Sequence, residues 1–121
     1  MTSGENELSY YSEALASAER VRDIAGMSRN CNRIAIIYQK RGDYDKALEF
    51  SHKALDIAEK VGDRGEVSES YHRIAIVHQK RGDYDKALEF SHKALDIAEA
   101  TGDDAGISRN CNQIAIVHIA I

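Results

Sequence analysis

The sequence of 121 residues contains no proline, no long apolar run and only two cysteines. Without proline, nothing forces a kink in its helices. No segment approaches the roughly 20 apolar residues needed to cross a bilayer. The opening MTSGENELSY lacks the basic flank and apolar core of a secretion signal, so we expect a cytoplasmic protein with no membrane partner. A Gly-rich phosphate loop and a serine in a nucleophile elbow are also missing, which argues against an enzyme.

What the sequence does contain is a repeat. Residues 33–59 return at 73–99 with changes only at Ile37/Val77 and Tyr38/His78, which sets a period of 40 residues. The segment SRNCN at 28–32 also returns at 108–112, and the amino-terminal segment is a diverged copy of the second half of the unit. A period of about 20–50 residues is typical of units that cannot bury an apolar face alone and that stack into a solenoid.

Each unit is predicted to contain two helices. From Asp83 onward, apolar and small residues recur at i, i+3, i+4 and i+7, which places them on one stripe of a helix. Asp83 is the expected N-cap, and Gly82 suits the left-handed residue that ends the preceding helix. The other helix, at about 64–81, is predicted to begin with a capping box of Asp63 and Glu66. Gly62 and Gly102 are predicted to end the long helices.

We therefore predict an all-α single domain of about six helices, arranged as antiparallel hairpins in a stacked solenoid. It divides into a half repeat at 5–23, full repeats at about 24–63 and 64–103, and a half repeat at 104–121.

Both helices of the unit carry a recognisable pattern. The string GDYDKALEFSHKAL, the helix-to-helix Gly-Asp turn and the small residues at the helix crossings together resemble the tetratricopeptide repeat family. The sequence departs from the family in its unit of 40 rather than the usual ~34 residues, and in having serine at Ser51 and Ser91, where an aromatic is common. The longer unit is similar to the arrays of G-protein-signalling modulators and kinesin light chain. The resemblance implies a right-handed α-solenoid that binds proteins without catalysis.

In this family the first helices of the units line a concave groove that holds an extended peptide or a partner helix. The resemblance therefore implies a peptide-binding site and no catalytic residue. The implied groove positions are Arg29, Asn32, Arg33, Ile36, Gln39 and Lys40 in one unit, Glu69, His72, Arg73, Ile76, Gln79 and Lys80 in the next, and Arg109, Asn112, Gln113, Ile116 and Ile119 in the last.

Two interpretations of these groove positions stay open. In the first, the asparagines and His72 bond a ligand main chain while the arginines attract its carboxylates through their planar, two-pronged guanidinium groups. In the second, Glu69 bridges Arg29 and Arg109 on neighbouring helices, and the charges only neutralise one another as a surface ladder worth at most about 1 kcal/mol per pair. A partner carboxylate could also displace Glu69, so that one set of residues would serve both purposes.

Cofactor and metal sites are not expected. The five histidines include no i, i+4 pair, since His72 and His78, for example, are six residues apart. Cys31 and Cys111 occupy the same place in copies two repeats apart, beyond the ~7 Å reach of a disulfide between Cα atoms. We expect them to be free thiols packed at helix interfaces.

The two ends each hold one helix of a pair. The chain opens with a second-half helix at about 5–22 and closes with a first-half helix at about 104–121. The sequence IAIVHIAI ends this last helix with the apolar Ile119, Ala120 and Ile121, where the internal copies have Gln-Lys-Arg-Gly-Asp. Either the last helix packs on the first helix of another molecule, giving a closed dimer or an open polymer, or the chain is a piece of a longer array. The predicted self-association residues are Leu8, Tyr11, Leu15, Ile114, Val117, His118, Ile119 and Ile121.

Nucleic acid is a different class of partner that the same groove could bind. Related helical-hairpin repeats read successive RNA bases with one or two side chains per unit, and Asn32, His72 and Asn112 could act in that way. The formal net charge of −4 and the lack of a sustained basic stripe argue against nucleic acid.

Overall fold

The computed structural model of the protein describes residues 3–121 and contains only α-helices in that range. Their bounds agree with the predicted 5–22, 64–81 and 104–121 to within about two residues, which is the usual uncertainty of helix ends. The all-α prediction is confirmed. The helices are α1 Ser3–Val21, α2 Ile24–Lys40, α3 Tyr44–Val61, α4 Arg64–Lys80, α5 Tyr84–Thr101 and α6 Asp104–Ala120.

The turns between helices follow from glycine and aspartate. Gly42 and Gly82 have φ of +81° and +82° after the first helices, so each takes the left-handed conformation that glycine adopts without a steric penalty. The aspartate that follows caps the next helix: the Asp43 carboxylate accepts a hydrogen bond from the Lys46 backbone N–H at 3.3 Å. The predicted tight Gly-Asp turn is therefore formed.

The predicted capping box at Asp63 is only half formed. The Asp63 carboxylate accepts from the Glu66 backbone N–H at 3.2 Å, as expected for an N-cap. The reciprocal bond is missing because the Asp63 backbone N–H already donates to the Ala58 carbonyl at 3.0 Å. The Glu66 carboxylate turns instead to Asn32 on α2, whose Nδ2 donates to Oε2 at 3.0 Å. A group expected to cap its own helix therefore joins two helices.

The helices stack in chain order, each packed on the next. Small residues at the crossings, including Ala47, Ala54 and Ala94, have no exposed surface, which lets neighbouring backbones approach closely. Larger apolar side chains such as Ile34 and Ile74 are at most 1% exposed, and burying each contributes about 1.5–3 kcal/mol. The hydrophobic core is therefore a strip that runs through the whole stack.

The stack curves in a definite direction. The first helices of neighbouring units contact each other, α2 with α4 and α4 with α6, whereas the second helices α1, α3 and α5 do not contact one another within the described residues. The first helices therefore lie on the inner side. None of the six described helices is both long and apolar enough to cross a bilayer.

Candidate functional site

A polar cavity of about 400 Å³ opens on the inner side, between α2, α4 and α6. Asn32 and Ile36 form part of its wall, and its charged groups come from all three helices. We call this surface the arginine groove. Its charged residues are Arg29, Arg33, Glu66, Glu69, Arg73 and Arg109.

Glu69 is the centre of the charge network in the arginine groove. Its Oε1 accepts from Arg73 Nε at 2.8 Å, and its Oε2 lies 3.4 Å from Arg109 Nη2. The ladder interpretation expected Glu69 to bridge Arg29 and Arg109. The structure contains the Arg109 pair, but Arg73, one turn along the same helix, takes the place assigned to Arg29.

Arg29 and Arg33 differ from Arg73 and Arg109 in their ion pairing. Neither forms an ion pair within 4 Å in the part of the chain that the structure describes. Both residues are exposed, and both line the cavity. With four arginines facing two glutamates, the arginine groove has an excess of positive charge although the whole chain is acidic. Such a surface attracts an anionic group.

Asn32 and His72 are placed differently from the prediction that they bond a ligand. Asn32 is 3% exposed, and besides Glu66 its Nδ2 donates to Ser70 Oγ at 3.1 Å. His72 is 4% exposed, and its Nδ1 lies 2.9 Å from Asn110 Oδ1. These bonds join α2 to α4 and α4 to α6, so both side chains are engaged in holding the first helices together.

The environment of His72 also fixes its charge. Burial, with smaller effects of the nearby Arg73 and Arg109 guanidinium groups, lowers its pKa to about 4. The imidazole is therefore neutral at physiological pH. Because Asn110 Nδ2 donates to the Gly106 carbonyl at 2.9 Å, its Oδ1 faces His72 and accepts the Nδ1 proton.

Sequence reasoning missed Glu66, Ser70 and Asn110. Glu66 lies one turn before Glu69 and on the same face of α4, but it was assigned to a capping box. Ser70 and Asn110 each lie 38 residues after the residue they bond, two positions before that residue's own copy. The sequence repeat relates residues that are 40 apart, so it gives no signal for pairs that are 38 apart.

The other predicted groove positions lie outside the cavity wall. Ile76, Gln39 and Gln79 are half-buried, and Gln113 is 6% exposed. The rest are exposed: Lys40, Lys80, Asn112, Ile116 and Ile119. The structure therefore brings the predicted arginines and Glu69 together in the cavity, and leaves Lys40, Lys80 and most of the neutral members outside it.

The predicted self-association residues fall into three groups by their exposure. Leu15 and Val117 are 7% and 0% exposed, so they belong to the chain's own core. Among the rest, the half-buried side chains are Leu8, Tyr11 and Ile114, and the exposed ones are His118, Ile119 and Ile121.

The two cysteines are free thiols in unlike surroundings. Cys31 is fully buried, and this burial raises its pKa to about 11. Cys111 is exposed, contrary to the expected packing, because no helix in the described structure covers that face of α6. Among residues 3–121, no group of three or more histidine, cysteine or acidic residues could hold a metal ion.

Similar solved structures include two helical repeat proteins. Aspartyl phosphate phosphatase F from Bacillus subtilis is 22% identical over 94% of this chain and 30% of its own, with a TM-score of 0.87. BtubC (BKLC) from P. vanneervenii is 24% identical over 97% of this chain and 50% of its own, with a TM-score of 0.78. The chain thus spans from about a third to half of these proteins, and the likeness shows the fold.

The sequence itself matches a family model. A comparison with curated proteins returned no match. The tetratricopeptide repeat model, by contrast, matches residues 23–100 and 66–120, which together include both repeated segments and all helices after α1. The chain therefore belongs to the tetratricopeptide repeat family.

Proposed function

We propose that this chain is a non-catalytic protein-interaction scaffold that binds an extended acidic peptide, or an acidic partner helix, in the arginine groove. The observation that carries the proposal is the meeting of Arg29, Arg33, Arg73 and Arg109 from three helices in one cavity. The similarity to aspartyl phosphate phosphatase F gives no support for phosphatase activity in this chain, because the chain covers only 30% of that protein at 22% identity.

The chemistry of the groove favours carboxylates as ligands. A guanidinium group can hold a carboxylate with two parallel hydrogen bonds, which a lysine cannot do. Glu69 already occupies such a position between Arg73 and Arg109. A ligand carboxylate could take the free Arg29 and Arg33, or displace Glu69, while the half-buried Ile36 offers an apolar contact beside them.

The test is a fluorescence anisotropy titration with a labelled peptide of eight glutamates, compared with a peptide of eight glutamines. We expect the acidic peptide to bind, and the double variant Arg29→Ala/Arg33→Ala to bind at least about tenfold more weakly, since each charge-assisted bond contributes about 1.5–3 kcal/mol. Lys53→Ala/Lys60→Ala is the matched control, because it removes the same charge from exposed sites on α3. Equal weakening in both variants, or no binding by the unaltered chain, would contradict the proposal.

Glu69→Gln tests the groove from the opposite direction. The substitution keeps the shape of the side chain but removes the internal carboxylate that occupies Arg73 and Arg109. We expect tighter binding of the acidic peptide, measured by the same titration. Unchanged or weaker binding would show that the ligand does not compete with Glu69.

The uncovered face of α6 supports a second part of the proposal, self-association through the terminal helices. Ile119 and Ile121 are 86% and 71% exposed, and large apolar groups of this kind mark interaction surfaces. We expect the mass measured by light scattering to rise with protein concentration, and removal of Ile119–Ile121 to abolish that rise. An unchanged mass profile in the truncated chain would contradict it.

The RNA-reading alternative receives no support from the site. Asn32 and His72, two of the three side chains that would read bases, are buried in bonds between helices. The free thiols suit the reducing cytoplasm, where we expect the scaffold to act.

A further inference from the structure

The chain builds the same helix pair twice, between α2 and α3 and between α4 and α5. In each pair a serine of the first helix donates to a carbonyl of the second: Ser28 Oγ to the Ala54 oxygen and Ser68 Oγ to the Ala94 oxygen, both at 3.1 Å. These two contacts lie at the same place in the repeat, 40 residues apart. They are the first of two contacts that recur in the interface between the first and second helix of a unit.

A stack of two aromatic rings is the second recurring contact of this interface. Tyr38 on α2 lies over Phe50 on α3, with ring centroids 5.8 Å apart and an interplanar angle of 19°. His78 on α4 lies over Phe90 on α5 in the same way, at 5.7 Å and 11°. An imidazole and a phenol ring both stack at this place, so the ring stack recurs with the repeat.

Helix α6 carries the first-helix side of this interface, and no helix of the described structure packs against that side. Ser108, Cys111, Ala115 and His118 are all exposed. Their counterparts on α4 are buried or half-buried, because α5 covers them. Neither α5 nor any other described helix covers this side of α6.

Helix α1 carries the second-helix side of the same interface. Tyr10 stands where Phe50 and Phe90 stand in the later copies, and it is 67% exposed. Ala14 stands where Ala54 and Ala94 stand, and it is half-buried although both of those alanines are fully buried. The exposed side of α1 is thus the side with which α3 and α5 meet their first helices.

We propose that α1 of a second copy docks on α6, with Ser108 Oγ donating to the Ala14 carbonyl and His118 stacking on Tyr10. The proposal deepens the self-association proposed above and rests on it. Because the contact joins two different surfaces and continues the 40-residue register, copies add head to tail in an open array. The occupant is a second copy because the two uncovered faces complete an interface that the chain already forms with itself twice.

Glu7 sets the strength of this contact. It stands where Ala47 and Ala87 stand, and both of those alanines have no exposed surface. Docking would therefore bring the Glu7 carboxylate into a closely packed crossing, which is costly for a charged group. The unaltered chain should therefore associate weakly, and Glu7→Ala should lower the dissociation constant by about tenfold or more.

The test is a complementation experiment with two exposed sites. Ala115→Arg blocks the face of α6 and Tyr10→Lys blocks the face of α1, both in the Glu7→Ala background. Light scattering should find each variant alone as a monomer, and an equimolar mixture should stop at twice the 13.5 kDa of one chain. Circular dichroism checks that both variants stay folded.

Each other outcome has a definite meaning. If Tyr10→Lys still dimerises alone while Ala115→Arg does not, α6 pairs with α6 and the head-to-tail register is overturned. If Glu7→Ala stays monomeric at millimolar concentration, the docking of α1 is overturned. If removal of Ile119–Ile121 abolishes the oligomer seen by light scattering while Tyr10→Lys has no effect, self-association is supported and only this register is overturned.

Discussion

The same five residues, SRNCN, occur in α2 at 28–32 and in α6 at 108–112, and three of them, the serine, the cysteine and the last asparagine, have opposite surroundings in the two helices. Ser28, Cys31 and Asn32 are at most 3% exposed, whereas Ser108, Cys111 and Asn112 are all exposed. Helices α3 and α4 follow α2 in the stack and pack on it, but no described helix follows α6. A unit of a repeat array therefore encodes one side of an interface, and the next unit decides whether that side is buried.

Thiol chemistry should show the largest difference between the two copies. Burial raises the pKa of Cys31 to about 11, so at pH 8 roughly one Cys31 side chain in a thousand is a thiolate, the reactive form. Cys111 is exposed to solvent. We expect one fast thiol per chain with Ellman's reagent at low micromolar protein, and a second that reacts at least about 100-fold more slowly.

Two single variants assign the fast and the slow phase of the reaction with Ellman's reagent to one cysteine each. Cys111→Ser should abolish the fast phase, and Cys31→Ser should leave it unchanged. Fast reaction of both thiols in the folded chain would mean that α2 opens readily and that the contrast in burial is not maintained in solution.

The asparagines of the same segment should differ in their effect on stability. Asn32 Nδ2 donates to the Glu66 carboxylate at 3.0 Å and to Ser70 Oγ at 3.1 Å. Asn32→Ala would leave a carboxylate without its donor, which should lower the free energy of unfolding by about 2–3 kcal/mol. Asn112→Ala changes an exposed side chain and should stay within about 0.5 kcal/mol. Urea denaturation checks both values, and equal losses would contradict the difference in environment.

These residues also show what the sequence could and could not predict. The helices were predictable because caps, glycines and apolar stripes are local signals that recur every 40 residues. The grouping of Arg29, Arg33, Arg73 and Arg109 was predictable because they share one face of successive first helices. The partners of Asn32 and His72 were not, because their offset of 38 residues depends on how far neighbouring helices slide along each other. Only the packed stack sets that distance.

His72 stands at the position of Asn32 and Asn112 in the repeat. Because a histidine can take up a proton, this position makes the free energy of unfolding depend on pH. Its folded-state pKa of about 4 lies below the ordinary 6.5, so the unfolded chain binds the proton more readily. The stabilisation from neutral His72 is therefore complete above about pH 6.5 and is lost as the pH falls toward 4. Between pH 7 and 5 we expect the free energy of unfolding to fall by about 2 kcal/mol from this residue.

Two variants isolate the contribution of His72. His72→Asn, which copies the residue found in the other two units, should flatten the pH dependence measured by urea denaturation. His118→Asn alters an exposed histidine and should leave the slope unchanged. A slope that survives in His72→Asn would assign the effect to other groups, among them His78, whose pKa burial also lowers.

The smallest expected effect lies at the other end of the array, where the first junction differs from the later two. Arg22 has φ of +58° at the place where Gly62 and Gly102 have +74° and +70°. A side chain in this left-handed region costs about 1 kcal/mol, which glycine avoids. Arg22→Gly should therefore raise the free energy of unfolding by about 0.5–1 kcal/mol, because the greater freedom of glycine in the unfolded chain offsets part of the gain. Gly62→Arg is the matched reverse change: no atom lies within 4 Å of a Cβ built there, so its cost is conformational and should have similar size and opposite sign. If both substitutions destabilise the chain, the Arg22 side chain makes a contribution of its own at the first junction, and the three junctions are not equivalent.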